Sequence, residues 1–338
     1  MKQQNIKSVK QLPKAADFST VGIIARITTR VDKNGNNFWD MTLCDQTGDI
    51  EGKAWSTTTS WWNNQGGDKF IIDPDNCGFK LEGLTAGIIG KVSDFRDQVQ
   101  YTFNEVYILD QTKFPPKNYT KRSPLRQDFL ENTFKTLADE ISDDELKSFL
   151  NSVFYKHGLW EKYSTWPAAV NLHHAYSGGL LEHSLSVALC ARDMAKHYGD
   201  FKIPVNLDII ITGALLHDIG KIETYNAEPS PSMKVPGNVI DHIILGYGMF
   251  MKFAELENLD KDKALAIAHI IVSHHGRKEY GSPVLPATPE AFIVSAADDV
   301  DFKLNYWKIQ MEMLNPRSDV TDYLPLIDRR LWRGTAQQ

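Results

Sequence analysis

Cysteine is scarce in this chain. Cys44, Cys77 and Cys190 are three in 338 residues, odd in number and far apart. That excludes a disulfide framework and a thiolate zinc knuckle, and it fits a reducing, cytoplasmic setting. Long apolar runs are missing too. None approaches the ~20 residues of a membrane helix, so no membrane is expected as a partner. Met1 to Lys14 is polar and lysine-bearing, without the apolar core of a signal peptide. No internal repeat is present. An excess of positive charge is also absent: the net charge is -6. Residues 1–121 carry 15 Lys+Arg against 14 Asp+Glu, and the remainder 22 against 29. This argues against coating nucleic acid over a broad face, so any contact with a strand is expected in a confined groove. An acidic C-terminal part is compatible with bound cations, which offset local carboxylates.

With 42% hydrophobic and 24% charged residues, the chain has the composition of an ordinary globular protein. Its length predicts two domains. Residues 1–16 show no periodicity and read as a flexible tail. Residues 17–112 carry β signals. Val21 to Val31 is rich in β-branched residues, Asn34-Gly35 is a hairpin turn, and Phe38 to Cys44 and Asp49 to Trp55 follow as strands. Thr85 to Phe95 and Gln100 to Leu109 complete about five, which fits a small barrel. Between them, Thr57 to Phe79 is a polar stretch with Trp61-Trp62 that reads as an enlarged connection. Residues 113–124, with Pro115-Pro116 and Pro124, have linker composition. From 125 to 334 the spacing is helical, and an all-α domain is expected. Its segments are Leu125 to Ala138, Asp143 to Tyr155, Gly179 to Tyr198, Leu207 to His217, Val239 to Leu256, Asp262 to His274 and Pro289 to about Met313. Ser142 with Glu145 reads as a capping box. Glu223 to Asn238, with three prolines, reads as a loop.

The chemistry gathers around Leu215-Leu216-His217-Asp218-Ile219-Gly220-Lys221. The apolar run Ile209 to Leu216 is too short for a membrane and reads as a buried helix, so its end delivers an imidazole and a carboxylate together at the edge of a core. Neutral His and ionised Asp are a common ligand pair for divalent ions. A helix end capped by polar groups is the plainer reading of these residues alone. The other histidines weigh against it: His173-His174, His183, His242 and His274-His275 form tight groups, followed by Asp298-Asp299 and Asp301.

This order of His, His-Asp, further His and then Asp is similar to that of the HD phosphohydrolase superfamily. His173 to Ser184, Leu215 to Lys221, and Ser273 to Gly276 with Glu279 to Pro283 resemble the YhaM-type 3′→5′ exoribonucleases. The resemblance runs from about Asp17 to Gly334. It implies a multidomain chain: a small all-β OB-fold barrel followed by an all-α HD domain. Phe38 to Gly48 resembles the strand and turn that nucleic-acid-binding OB-folds carry. There Phe38 and Trp39 would stack bases, and Arg26, Arg30, Lys33 and Lys53 would meet phosphates; the plainer reading makes the aromatics barrel core.

For the HD half, the resemblance implies metal ligands at His183, His217, Asp218 and Asp298, with His242, His274 and His275 for a second ion. Asp299 beside Asp298 leaves the choice of closing carboxylate open on spacing alone. Asp218 and Lys221 would be catalytic, Lys221 meeting a phosphate oxygen. His173, His174, Arg277, Lys278 and Asp301 would lie on the substrate side; alternatively His173, His174 and Asp301 would lie behind the ligands or, for the histidines, in the core, and Arg277-Lys278 would be a solvated pair. A His/Asp set without thiolates favours manganese, with iron, cobalt or magnesium as alternatives. The implied activity is metal-dependent 3′→5′ hydrolysis of single-stranded RNA, alternatively single-stranded DNA, to nucleoside 5′-monophosphates; a homo-oligomer is compatible with it. Two rival readings are an HD nucleotide or cyclic-nucleotide phosphohydrolase and a non-catalytic single-strand binder. His157, His197 and His269 match no motif.

Overall fold

The structure is a computed structural model that describes residues 2–65, 69–95, 98–170, 174–228, 231–315 and 318–335. The chain divides into two compact units, with the break between Arg122 and Ser123. That point lies inside the stretch with linker composition, and residues 113–122 go with the first unit.

The first unit opens with helix α1 (Ile6–Lys10), where a flexible tail is expected. The helix forms because Ile6 and Val9, one turn apart, are both fully buried in the barrel core. Asn5 caps it by accepting the Ser8 N–H, and the Asp45 carboxylate accepts the Ile6 N–H at 2.8 Å. Strands follow as β1 (Asp17–Val31), β2 (Asn37–Asp45), β3 (Gly48–Trp55), β4 (Ser60–Asn63), β5 (Phe70–Ile71), β6 (Thr85–Phe95) and β7 (Gln98–Ile108). The five long strands are the expected ones. The short β4 and β5 arise within the polar connection, where β4 pairs parallel to β7.

The sheet runs β3-β2-β1-β6-β7-β4-β5, and a parallel β3–β7 pairing closes the first five strands into a barrel. This is the OB-fold connectivity. Closure depends on Gly52: a Cβ there would lie 2.3 Å from the Phe103 ring, which fills the interior. The β1–β2 hairpin turns at Asn34-Gly35, with Gly35 at φ +85°. The Asp32 carboxylate accepts the N–H groups of Asn34 and Asn36 at 2.8 and 2.9 Å.

In the second unit the helices are α2 (Gln127–Glu140), α3 (Asp144–Asn151), α4 (Trp160–Thr165), α5 (Gly179–Asp200), α6 (Leu207–Leu216) and α7 (Lys221–Thr224). A two-residue hairpin follows, β8 (Tyr225–Asn226) with β9 (Ser232–Met233). Then come α8 (Val235–Val239), α9 (His242–Leu256), α10 (Lys261–Ser273) and α11 (Pro289–Met313). The expected loop over 223–238 thus contains the hairpin and α8. Helix α6 is the centre of this unit: every residue from Ile209 to Leu216 is buried, and α5, α10 and α11 pack on it.

The start of α3 differs from the capping-box expectation. The Asp208 carboxylate accepts the N–H groups of both Ser142 and Asp143, at 3.1 and 3.0 Å. The helix therefore begins one residue later, with Asp143 as the cap that accepts the Leu146 N–H. Glu145 reaches α10 instead, accepting from the Asp260 N–H and from Lys263, both at 2.7 Å. Among the described residues, no helix is long and apolar enough to cross a membrane.

Candidate metal centre and nucleic-acid face

Five helices of the second unit deliver His and Asp side chains to one buried place. Helix α5 presents His183. The end of α6 presents His217 and Asp218, α9 opens with His242, α10 ends before His274-His275, and α11 presents Asp298 in its middle. Asp218 stands at the centre. Its Oδ2 lies 3.1 Å from His183 Nε2 and 3.3 Å from His217 Nε2. Its Oδ1 lies 3.5 Å from His242 Nε2 and 3.6 Å from His274 Nε2. One carboxylate thus faces two donor sets. Asp298 Oδ1 closes the first, 3.3 Å from His183 Nε2 and 3.9 Å from His217 Nε2. His242, His274 and His275 gather as the second. Asp299 is half-exposed and paired with Lys303, so Asp298 is the carboxylate that faces the cluster.

The outer nitrogen of each ring decides what the inner one offers. His217 Nδ1 donates to the Ala214 carbonyl, His274 Nδ1 to the Ile271 carbonyl and His275 Nδ1 to the Tyr280 carbonyl, each at 2.7 Å. A carbonyl only accepts, so each Nδ1 carries the proton and each Nε2 offers a lone pair. His183 Nδ1 lies 2.8 Å from the Asp301 carboxylate, and His242 Nδ1 lies 2.9 Å from that of Asp241. His183 Nε2 and His217 Nε2 then meet at 3.2 Å. Two lone pairs at that distance repel unless a proton or a cation lies between them. His242 Nε2 and His274 Nε2 are buried without a hydrogen-bond partner among the described residues, and both face the buried Asp218 Oδ1. Orphaned donors of this kind, converging with no thiolate, fit a divalent cation, and the cluster is a divalent-metal site.

Charge follows the same geometry. Burial opposes ionisation of Asp218, yet the Lys221 ammonium, 2.5 Å from Oδ2, and His217 hold its carboxyl well below the usual range. Desolvation opposes ionisation of the mostly covered Asp298 as well, but the His183 bond lowers it. Burial keeps His274 well below the ordinary imidazole value, which leaves it neutral and ready to ligate. His183 runs the other way. Burial works against its charge, but hydrogen bonds to Asp218, Asp298 and Asp301 push it well up.

Behind His183 lies a second layer, which takes up one of the two alternatives for Asp301 and His174. Asp301 and His174 are both buried, not on a substrate-facing surface. Asp301 Oδ2 takes hydrogen bonds from His183 Nδ1 and from His174 Nε2, the latter at 3.1 Å. His174 Nδ1 meets the Tyr176 hydroxyl at 3.0 Å, and that hydroxyl donates to Glu182 at 2.9 Å. Burial and Glu182 push the Tyr176 phenol far up, so it keeps its proton. Sequence reasoning missed Tyr176 and Glu182, although both lie in the motif string from His173 to Ser184. His173 lies outside the described residues. Lys221 is buried at the cluster, whereas Arg277 and Lys278 are exposed beyond His275. The unassigned histidines have other partners: His157 pairs with Glu257, His269 accepts the Ala287 N–H, and His197 lies against Tyr198 and Phe201.

In the barrel, strand alternation separates the two predicted aromatics. Trp39 points inward, 5% exposed, against the Trp61 ring, with Nε1 donating to Asp75. It is core, not a stacking surface. Phe38 is on the opposite face. There the register aligns Arg30, Phe38 and Trp55; Thr28, Asp40 and Lys53; and Arg26, Thr42 and Glu51. Phe38 stacks on Trp55 at 4.9 Å with Lys53 over its ring, so it is covered rather than free. Trp55, half-buried, is the aromatic that sequence reasoning missed; its position opposite Phe38 in the hairpin register is the signal. Beside these residues is a groove of about 310 Å³ lined by Arg26, Arg30, Asp40, Glu51 and Lys53. Arg26 pairs with Glu51 and Arg30 with Asp40, so the groove is polar with little net charge. Lys33 is exposed in the hairpin turn.

An OB-type barrel joined to a helical unit with this His/Asp cluster defines an HD-domain metalloprotein. The HD domain family model matches residues 180–303, and a model described as a putative helicase matches residues 118–202. The chain is 26% identical over 314 residues to the 3′-5′ exoribonuclease YhaM of Bacillus subtilis (strain 168), covering 93% of each. It is 24% identical to the YhaM of Bacillus pumilus (strain SAFR-032), again over 93% of each. Among solved structures, it is similar to the HD domain of the L. monocytogenes phosphodiesterase PgpH. That match has 22% identity and TM-score 0.28, over 44% of this chain and 74% of that one. The second OB-fold domain of replication protein A from Methanococcus maripaludis matches at 15% identity and TM-score 0.22, over 32% of this chain and 94% of that one. The chain is thus similar along most of its length to YhaM-type proteins, and its residues 180–303 match the HD domain.

Proposed function

We propose that this chain is a metal-dependent 3′→5′ exoribonuclease that hydrolyses single-stranded RNA to nucleoside 5′-monophosphates. The observation that carries the chemistry is Asp218, whose two oxygens face two separate sets of inward-aimed imidazole nitrogens. The YhaM relatives, similar along 93% of the chain, carry the substrate and polarity.

In this reading His183, His217, Asp218 and Asp298 would hold one ion, and His242, His274 and His275, with Asp218, would hold a second. Manganese is the favoured metal, since imidazole with carboxylate suits it and no thiolate is present. Bound divalent ions polarise a phosphodiester and lower the pKa of bound water. The chain's own residues do the rest. Lys221 Nζ, buried at the edge of the cluster, stabilises charge developing on a phosphate oxygen. Asp301 fixes the His183 ring from behind. Arg277 and Lys278, exposed next to His275, meet the strand's backbone. In the barrel, the face with Arg26, Arg30, Lys53 and Trp55 holds the strand, with Lys33 at its rim. A cytoplasmic setting, supported by the few unpaired cysteines, is part of this reading.

The test is purified protein with MnCl2 on 5′-labelled single-stranded RNA and DNA. The expected result is a ladder that shortens from the 3′ end, nucleoside 5′-monophosphates as products, and arrest by a chelator. Activity confined to free nucleotides or cyclic dinucleotides would contradict it.

A further inference from the structure

We propose that Asp241 is a positioning residue that holds the His242 imidazole in the cluster, and that its backbone is strained to do so. The proposal rests on the reading of His242 as a metal ligand. Asp241 immediately precedes α9, with φ 77° and ψ 152°. That region of conformational space is populated almost only by glycine, because a Cβ crowds the neighbouring peptide groups there. Its side chain explains why an aspartate is found in it. Asp241 Oδ1 accepts the Ile243 N–H at 3.0 Å, which caps the helix, and lies 2.9 Å from His242 Nδ1. The same carboxylate therefore starts α9 and sets the tautomer of His242, leaving Nε2 aimed at Asp218.

The backbone has little freedom to relax. A Cβ on Gly220 would lie 1.9 Å from the His242 carbonyl oxygen and 2.4 Å from the Gly246 nitrogen. The first turn of α9 is thus pressed, backbone to backbone, against the loop that carries His217 and Asp218. This contact fixes where His242 begins the helix, and the sharp entry falls on residue 241. Glycine would make that entry without strain but would offer no acceptor to Nδ1. Burial does not account for the aspartate either, since its side chain is 58% exposed. Strain kept at a half-exposed residue that touches a site side chain points to a role in the site.

The test uses the full chain, with Mn2+ binding followed by titration calorimetry and thermal unfolding followed in chelator. Asp241→Gly is expected to raise the Kd for Mn2+ by about 10- to 100-fold. The metal-free melting temperature should stay level or rise, because the strain is relieved. Asp241→Asn keeps an acceptor and should recover most of the affinity. Asp241→Gly added to His242→Ala should weaken binding no further than His242→Ala alone. Unchanged Mn2+ affinity in Asp241→Gly would overturn the proposal. So would an affinity loss that tracks a lower metal-free melting temperature and is not recovered by Asp241→Asn. A wild-type chain that takes up no Mn2+ would overturn the metal reading itself, and this proposal with it.

Discussion

Asp301 Oδ2 lies 2.8 Å from His183 Nδ1, and the two residues are 118 positions apart in the chain. The bond fixes the ring and its tautomer, and it raises the basicity of Nε2 on the cluster side. Asp301 is held in turn by His174, and His174 by the Tyr176–Glu182 pair. Tyr176→Phe removes one hydroxyl and nothing else. It should weaken Mn2+ binding by about 10-fold while the fold is kept, because outer partners of a ligating histidine typically count for 10- to 100-fold. Calorimetric titration of the variant checks this, with near-UV circular dichroism as the control for folding.

Asp218 and Lys221 form a buried ion pair as well as part of the site. Asp218→Asn should abolish hydrolysis, since both donor sets lose their shared carboxylate. It should also destabilise the metal-free protein by ~3–5 kcal/mol, because Lys221 is left charged and buried without its partner. Asp218→Asn with Lys221→Met should recover stability in urea unfolding without recovering activity.

Acid should act through the buried carboxylates. Burial raises the Asp301 carboxyl, but the bonds from His174 and His183 lower it more, so it ends below its ordinary 3.8. A carboxyl depressed in the folded state stabilises the fold above pH 3.8, and that share is lost as pH falls below 3.8 towards the folded value. In chelator, Asp301→Asn should therefore be less stable than wild type at about pH 5, and the margin should shrink below about pH 4. Melting temperatures of both proteins across that range are the measurement.

The two tryptophans of the β1–β3 sheet should separate binding from folding. Trp55→Ala should raise KM on long RNA by the equivalent of ~1–3 kcal/mol, the range for a base-stacking side chain, and leave kcat on a trinucleotide unchanged. Trp39→Ala opens the barrel core and should destabilise the fold by ~3–5 kcal/mol. Steady-state kinetics on the two substrates and chemical denaturation tell the outcomes apart.

Local pattern made the architecture legible before any coordinate. Strand alternation, the Asn34-Gly35 turn and the helical spacing after Pro124 mark the elements, and His183, His217-Asp218, His242 and His274 followed by an acidic pair are legible as a set through their resemblance to HD proteins. What stayed hidden depends on direction and distance. Asp298 and Asp299 are adjacent in sequence, and only the rotation of α11 shows which one faces in. Phe38 and Trp39 are neighbours on a strand, so one faces the core and the other does not, and composition does not say which. The link from Glu182 through Tyr176 and His174 to Asp301 spans separate elements, and no spacing announces it. The helix at Ile6–Lys10 is five residues long, too short for periodicity to reveal, and exists because the barrel buries Ile6 and Val9. The strain at Asp241 leaves no trace in residue identity.

The central claim, hydrolysis from a 3′ end at the Asp218 cluster, has one direct measurement. Three single-stranded RNAs of the same sequence are incubated with the protein and Mn2+: a linear strand with a 3′-hydroxyl, a linear strand with a 3′-phosphate, and a circle. A 3′-phosphate adds about two negative charges at the end that this reading brings to Asp218 and Asp298. The account predicts rapid shortening of the hydroxyl strand, much slower loss of the phosphate strand and an intact circle. Cleavage of the circle at a rate comparable to that of the linear strand would contradict it.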